Sequence, residues 1–195
     1  MNKLVIAIVS GVVIVGAGIG IVLTKKDPSS SAIDTSNIKT GNDAMVAVDA
    51  CDVLSAGVAK KVLGDGAEKG DTSAGTASTD DISVSNCIYT HKSVTTGSVK
   101  DQLASIETVG LLVRAAKNKA GATSNQTPFT SAKPAGVQDV TGYGSKAYFN
   151  PSTGQLNVLA GNNWYIISHY TGTSVTKATL EQTKVLADAI KDNLK

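Results

Sequence analysis

The chain has little arginine, histidine, cysteine or aromatic side chain, and each shortage excludes something. Arg114 is the only arginine. A nucleic-acid-binding protein is expected to present a basic patch with arginine in it, so nucleic acid is not an expected partner. His91 and His169 are the only histidines, and Cys51 and Cys87 the only cysteines. The cysteines lie 36 positions apart, with no C-x-x-C spacing, so no cysteine-based metal site is indicated. No G-x-S-x-G, S-x-x-K or H-E-x-x-H is present, which leaves the serine hydrolase, serine–lysine transpeptidase and zincin readings without support. One Trp, two Phe and five Tyr make up all the aromatic residues.

Charge is also scarce in one place. Leu4 to Leu23 reads LVIAIVSGVVIVGAGIGIVL, without a charged side chain. A helix of that length spans roughly 30 Å, the thickness of a bilayer's hydrocarbon core. Residues 1–26 are therefore expected to form a transmembrane signal anchor. Gly16-x-x-x-Gly20 fits a small-residue dimerisation spacing, but a simple glycine-rich anchor is the favoured reading. The run is longer than a cleaved signal's apolar core, and its best cleavage site, Gly16-Ala17-Gly18, is followed by more apolar residues. No Cys stands at its end for lipid attachment. Retention is favoured over cleavage.

Three of the eighteen basic residues, Lys3, Lys25 and Lys26, flank that run. The remainder carries fifteen basic and sixteen acidic groups, a net charge of −1. The flanking lysines nearly balance and do not decide orientation. A short N-terminal tail and a cysteine pair suited to an oxidising compartment place the C-terminal domain outside the cytoplasm. Residues 27–47 are rich in Ser, Thr, Asp and Asn and read as a flexible polar linker reaching about 25 Å from the membrane. Residues 48–195 are left as a single domain, large enough to bury a core.

Within it, Ser55 is a fit N-cap and Gly64 a natural stop for a helix inside Asp52–Gly64, with Val58, Val62 and Leu63 as its apolar face. Ala44 to Val48 precedes it as a first strand or a short helix. Gly64 to Asp81 reads as a long surface loop. Asn86 to Lys92 is expected to be a strand with Cys87, Tyr89 and His91 on one face. Thr108 to Ala116 is apolar on both sides and reads as a central strand. A short helix is expected within Lys117–Ala132, ended by Pro134, and a turn into a strand over Val137–Phe149. Gln155–Ala160 and Trp164–Tyr170 flank Gly161-Asn162-Asn163 as a hairpin with a three-residue loop. Lys177–Leu194 is a closing helix with Thr179 and Gln182 as a capping box, burying Leu180, Val185, Leu186, Ile190 and Leu194. The class is α+β, an antiparallel sheet with helices packed on it.

The chemistry on offer is thin. Cys51 and Cys87 are expected to form a disulfide stabilising the fold by roughly 4 kcal/mol. Cys87 and His91 would stand about 13 Å apart along a strand, too far for a thiolate–imidazole pair. The two histidines have no carboxylate at a companion spacing, so neither is expected to be catalytic or to bind metal. Gly142-Tyr143-Gly144 lacks the strand-then-helix setting of a phosphate loop and reads as a tight turn. Asp80-Asp81 reads as a solvated pair. No cofactor is expected. Tyr148, Trp164, Tyr165 and Tyr170 are the concentrated aromatics. They suit either a ligand-binding surface or core packing.

Several short motifs follow one another along the chain: Cys51-x-x-Leu54 leading a short helix, Cys87-Ile-Tyr in a strand, Gly142-Tyr-Gly-x-x-Ala147-Tyr148, Gln155-Leu-Asn-Val-Leu-x-Gly161, and Leu186-Ala187 in a closing helix. Over residues 48–195 this resembles uncharacterised lipoproteins and anchored extracytoplasmic domains of Gram-positive bacteria and their small-genome relatives. The resemblance implies a PsbP/Mog-like architecture and an envelope location, and no common activity. That family attaches through a lipidated Cys, where this chain carries an apolar segment. The expected function is non-enzymatic binding of a protein or small molecule at the cell envelope. A cryptic enzyme or metal-dependent module, or an accessory subunit of a membrane complex, are the alternatives.

Overall fold

A computed structural model describes residues 45, 47–70, 72, 78–175 and 178–195. All belong to the second of two compact units, Thr35–Lys195. The apolar run Leu4–Leu23, and the expected linker apart from Met45 and Ala47, lie outside the described residues. None of the described helices is long and apolar enough to cross a membrane.

The elements follow in the order α1 (Ala50–Val53), α2 (Ala56–Leu63), β1 (Glu68–Lys69), β2 (Ile82–Lys92), α3 (Val99–Ala104), β3 (Ile106–Ala116), α4 (Lys119–Gln126), β4 (Gln138–Val140), β5 (Lys146–Asn150), β6 (Gln155–Ala160), β7 (Asn163–Thr171) and α5 (Leu180–Ile190). The strands form one antiparallel sheet in the order β1-β2-β3-β7-β6-β5-β4. It consists of two meanders, β1–β3 and β4–β7, joined along β3 and β7. The fold is therefore α+β, as the alternating pattern implied.

Alternation along each strand makes two unlike faces. Cys87 and Tyr89, Val109, Leu111 and Val113, Tyr165 and Ile167 all point one way and are buried there. Onto them pack Leu54 of the α1–α2 junction, Ala59 and Leu63 of α2, and Leu186, Ala187 and Ile190 of α5. Each fully buried Leu or Ile contributes about 1.5–3 kcal/mol. The opposite face is covered at one end only, by α4 and the 3-10 turn Thr127–Phe129.

The helix expected inside Asp52–Gly64, with Ser55 as N-cap and Gly64 as its stop, is α2, and a separate helix, α1, precedes it and ends before Leu54. Ser55 caps α2, accepting from Val58 N–H at 3.3 Å. The four-residue α1 is held from outside. Asp49 accepts from Cys51 N–H, and Ser85 Oγ on β2 accepts from Ala50 N–H at 2.8 Å and donates to Val48 O. Cys51 is bonded to Cys87 of β2, their Cα atoms 5.1 Å apart. Met45 and Ala47–Asp49 form neither strand nor helix.

Four further expectations are corrected. β2 starts at Ile82, four residues earlier than the alternation suggested, because Thr79 Oγ1 accepts from Asp81 and Ile82 N–H and turns the chain into the ladder. The long loop after Gly64 contains β1, paired with Tyr89 and Thr90. The β6–β7 loop has two residues, not three. Asn163 pairs with Ala160, and Gly161 takes φ +56 as the first residue of a type II′ turn requires. On α5 the buried stripe is Thr183, Leu186, Ala187 and Ile190, at spacings of three and four, which turns Val185 outward to 50% exposure. The Thr179–Gln182 capping box is present in both directions and starts the helix at Leu180.

Candidate functional site

The four concentrated aromatics do not form one surface. Trp164 and Tyr165 are neighbours on β7, so they project from opposite faces. Tyr165 is fully buried in the core, where its hydroxyl donates to Lys195 O at 2.9 Å and accepts from Lys195 N–H at 3.2 Å. Tyr170 shares the Trp164 face but stands six residues along the strand, about 20 Å away. Trp164 and Tyr148 do come together. Phe129 joins them, 5.1 Å from the Tyr148 ring and edge-on to Trp164 at 5.9 Å. Trp164 Nε1 donates to Asn157 Oδ1 at 3.0 Å.

Arg114 faces this cluster. It is the cross-strand partner of Trp164, and its guanidinium carbon lies 5.0 Å from the Trp164 ring centre. Asn125 of α4 is fully buried beside it. Asn125 Nδ2 donates to Arg114 O at 2.8 Å and Asn162 O at 2.9 Å, which orients the amide so that Oδ1 accepts from Arg114 Nε at 3.4 Å. Burial holds the Arg114 guanidinium below the usual arginine range. Among the described residues no carboxylate pairs with it. The two ion pairs found there are Lys133–Asp139 and Glu107–His169.

Beyond Phe129 the same face dips into a shallow groove of about 210 Å³ lined by Phe129, Tyr148, Lys133, Asp139 and Lys146. Lys133 and Asp139 pair across it. Burial pushes the Tyr148 hydroxyl up to about 12, so at neutral pH it is a neutral hydrogen-bonding group and no nucleophile.

On the covered face, sheet pairing supplies what sequence spacing did not. His169 is buried, and its Nε2 lies 2.7 Å from Glu107 Oε1 on the adjacent strand. Its Nδ1 lies 2.7 Å from Gln182 O at the start of α5. A backbone carbonyl only accepts, so Nδ1 carries a proton there. With both ring nitrogens engaged, the pair ties β3, β7 and α5 together and leaves no free nitrogen to act as a base. His91 is opposite Glu107 in register and lies under the loop at Gly64 and Gly66. Among the described residues no group of three His, Cys, Asp or Glu side chains is placed to hold a metal ion, and no cysteine is free.

Gly142 and Gly144 both take positive φ in the turn between β4 and β5. Tyr143 between them is buried and donates to Asp188 Oδ1 on α5 at 2.8 Å. Burial first, then that carboxylate, pushes its hydroxyl up to about 12. Asp81 accepts from Asn118 Nδ2 at 2.7 Å and so steadies the start of α4.

Comparison with known proteins finds no family, no characterised protein and no solved structure that matches this chain. The residues not singled out as site residues from the sequence are Arg114, Asn125, Phe129 and Glu107. For Arg114 a signal existed: the chain's lone arginine follows the apolar run Val109–Val113 of a strand read as central. Glu107 meets His169 across 62 positions, and nothing in local spacing announces that.

Proposed function

We propose that this chain is a membrane-tethered extracytoplasmic domain that binds a protein or small molecule at the cell envelope and catalyses no reaction. The observation that carries the reading is the Cys51–Cys87 bridge, which joins α1 to the second strand of the sheet. Such bonds persist in oxidising compartments and are rare in the cytosol. The uncharged run Leu4–Leu23 supplies the tether. The seven-strand antiparallel sheet with helices on it is compatible with a PsbP/Mog-like architecture. The binding reading is supported by a sheet face left open beyond α4, and by a carboxylate–imidazole pair whose nitrogens are both engaged.

Labelling lysines on intact cells with a membrane-impermeant amine reagent tests the location. Modification of the domain before lysis is expected. A domain that reacts only after lysis, with Cys51 and Cys87 reduced, overturns the assignment. Co-purification from membranes then identifies what the domain carries.

A further inference from the structure

The sheet has one face packed by α1, α2 and α5, and one that α4 covers only at its end. Where that cover stops, Arg114 and Trp164 stand side by side, both half-buried. The guanidinium is held on two sides, by the Trp164 ring at 5.0 Å and by Asn125 Oδ1 at Nε. Its Nη edge has no hydrogen-bond partner among the described residues. Next to it on the same face lie Leu112 and Ile166, a cross-strand pair, also half-buried. On β2, β3, β7 and β6 that face carries no carboxylate at all. A half-buried cation without a counter-charge is only partly hydrated, and a planar fork fixed by stacking loses little freedom on pairing with an oxyanion.

We propose that Arg114 and Trp164 form the anion-pairing end of a binding site on this open face, and that its ligand is a small apolar carboxylic acid. The Nη edge of Arg114 receives the carboxylate through two parallel hydrogen bonds. The ligand's apolar body lies over Leu112 and Ile166, against the wall made by Trp164 and Phe129. On β3 and β7 Arg114 is the only charged residue of that face, which matches one anionic group on the ligand. Asn125 is a positioning residue: it fixes Nε and leaves the outer edge free. The inference rests on the reading of the chain as a binding domain and names the class of molecule bound.

Trp164 is the only tryptophan, so its emission in the full chain reports on the site directly. Phenylacetate is expected to shift that emission saturably. Phenylacetamide, which has the same shape without the charge, and inorganic phosphate, which has charge without the apolar body, are each expected to bind at least about tenfold more weakly. Arg114→Gln is expected to lose at least about tenfold in phenylacetate affinity, with Arg114→Lys between it and the parent, because a lysine keeps the charge and loses the fork. Thermal melts of the variants show whether they fold; if Arg114→Gln does not, Arg114→Lys decides alone. Equal binding of phenylacetate and its amide, unchanged affinity in both variants, or phosphate binding as tightly as phenylacetate each overturns the proposal. A protein that co-purifies from membranes while phenylacetate leaves Trp164 unmoved sinks this inference and leaves the envelope-binding reading standing. Saturable phenylacetate binding by a chain found inside the cell does the reverse.

Discussion

Asn125 illustrates how much one buried polar side chain fixes. Its amide satisfies the Arg114 carbonyl on β3 and the Asn162 carbonyl in the β6–β7 turn, and it sets the Arg114 guanidinium. Truncation removes the buried amide that two part-buried carbonyls accept from. Asn125→Ala is expected to destabilise the protein by about 2–4 kcal/mol, measured by urea denaturation. The two perturbed tyrosines act on alkaline stability. Tyr143 and Tyr148 ionise near 10 in the unfolded chain and near 12 in the fold. Between those values the native state holds protons that the unfolded state releases. Their contribution is complete below pH 10 and is lost as pH rises toward 12. The double variant Tyr143→Phe, Tyr148→Phe is expected to show a flatter decline of stability over that window. An equally steep decline in the variant refutes the assignment.

At the level of elements, most of what the sequence announced came from caps and alternation. Ser55, Thr179 and Gln182 start their helices as their chemistry predicts. The two-sided apolar strand is indeed interior. What was illegible depended on partners far along the chain. The Val185 error arose because a helix of that composition has two overlapping apolar stripes, and only the sheet selects between them. The register of Asn163 is set by strand pairing, which a three-residue count cannot see. The partnering of Trp164 with Arg114, and of His169 with Glu107, appears only once β7 lies against β3. Two substitutions separate cap from packing. Thr179→Ala removes one side of the capping box and is expected to cost about 1 kcal/mol. Gly121→Ala puts a Cβ 2.1 Å from the Asp81 carbonyl oxygen, which forces α4 off the sheet. It is expected to cost more than the loss of the cap in a thermal melt, and to disturb Trp164 emission because Asn125 and Phe129 move with the helix. A melting temperature nearer the parent's than that of Thr179→Ala excludes this role for Gly121.

Across the whole molecule, the disulfide and the sheet divide the work of holding the fold. The Cys51–Cys87 bond ties α1 to β2 of the first meander, and β2 pairs with no strand of the second. Replacing both cysteines by alanine is expected to cost roughly 4 kcal/mol. The core contacts between α5 and β7 remain, so the chain is expected to fold still, with a lower melting temperature and the same Trp164 environment. Loss of all cooperative unfolding in that variant contradicts this division.

The junction between the meanders also sets a timetable. Each meander closes through neighbouring strands, while the eight register pairs of β3 with β7 join residues at least fifty positions apart. Long loops close slowly, so this seam is expected to form after the strands of each meander have paired. A weakened contact at Leu111 against Ile167 then shows itself mainly as a slower approach to the native state. A weakened contact that forms after the seam, such as that of Ile190 at the end of α5, is expected to show itself as faster escape from it. The seam that places Arg114 beside Trp164 is thus also the step at which the open face comes into being. Recovery of Trp164 emission after dilution from denaturant clocks the appearance of that face directly.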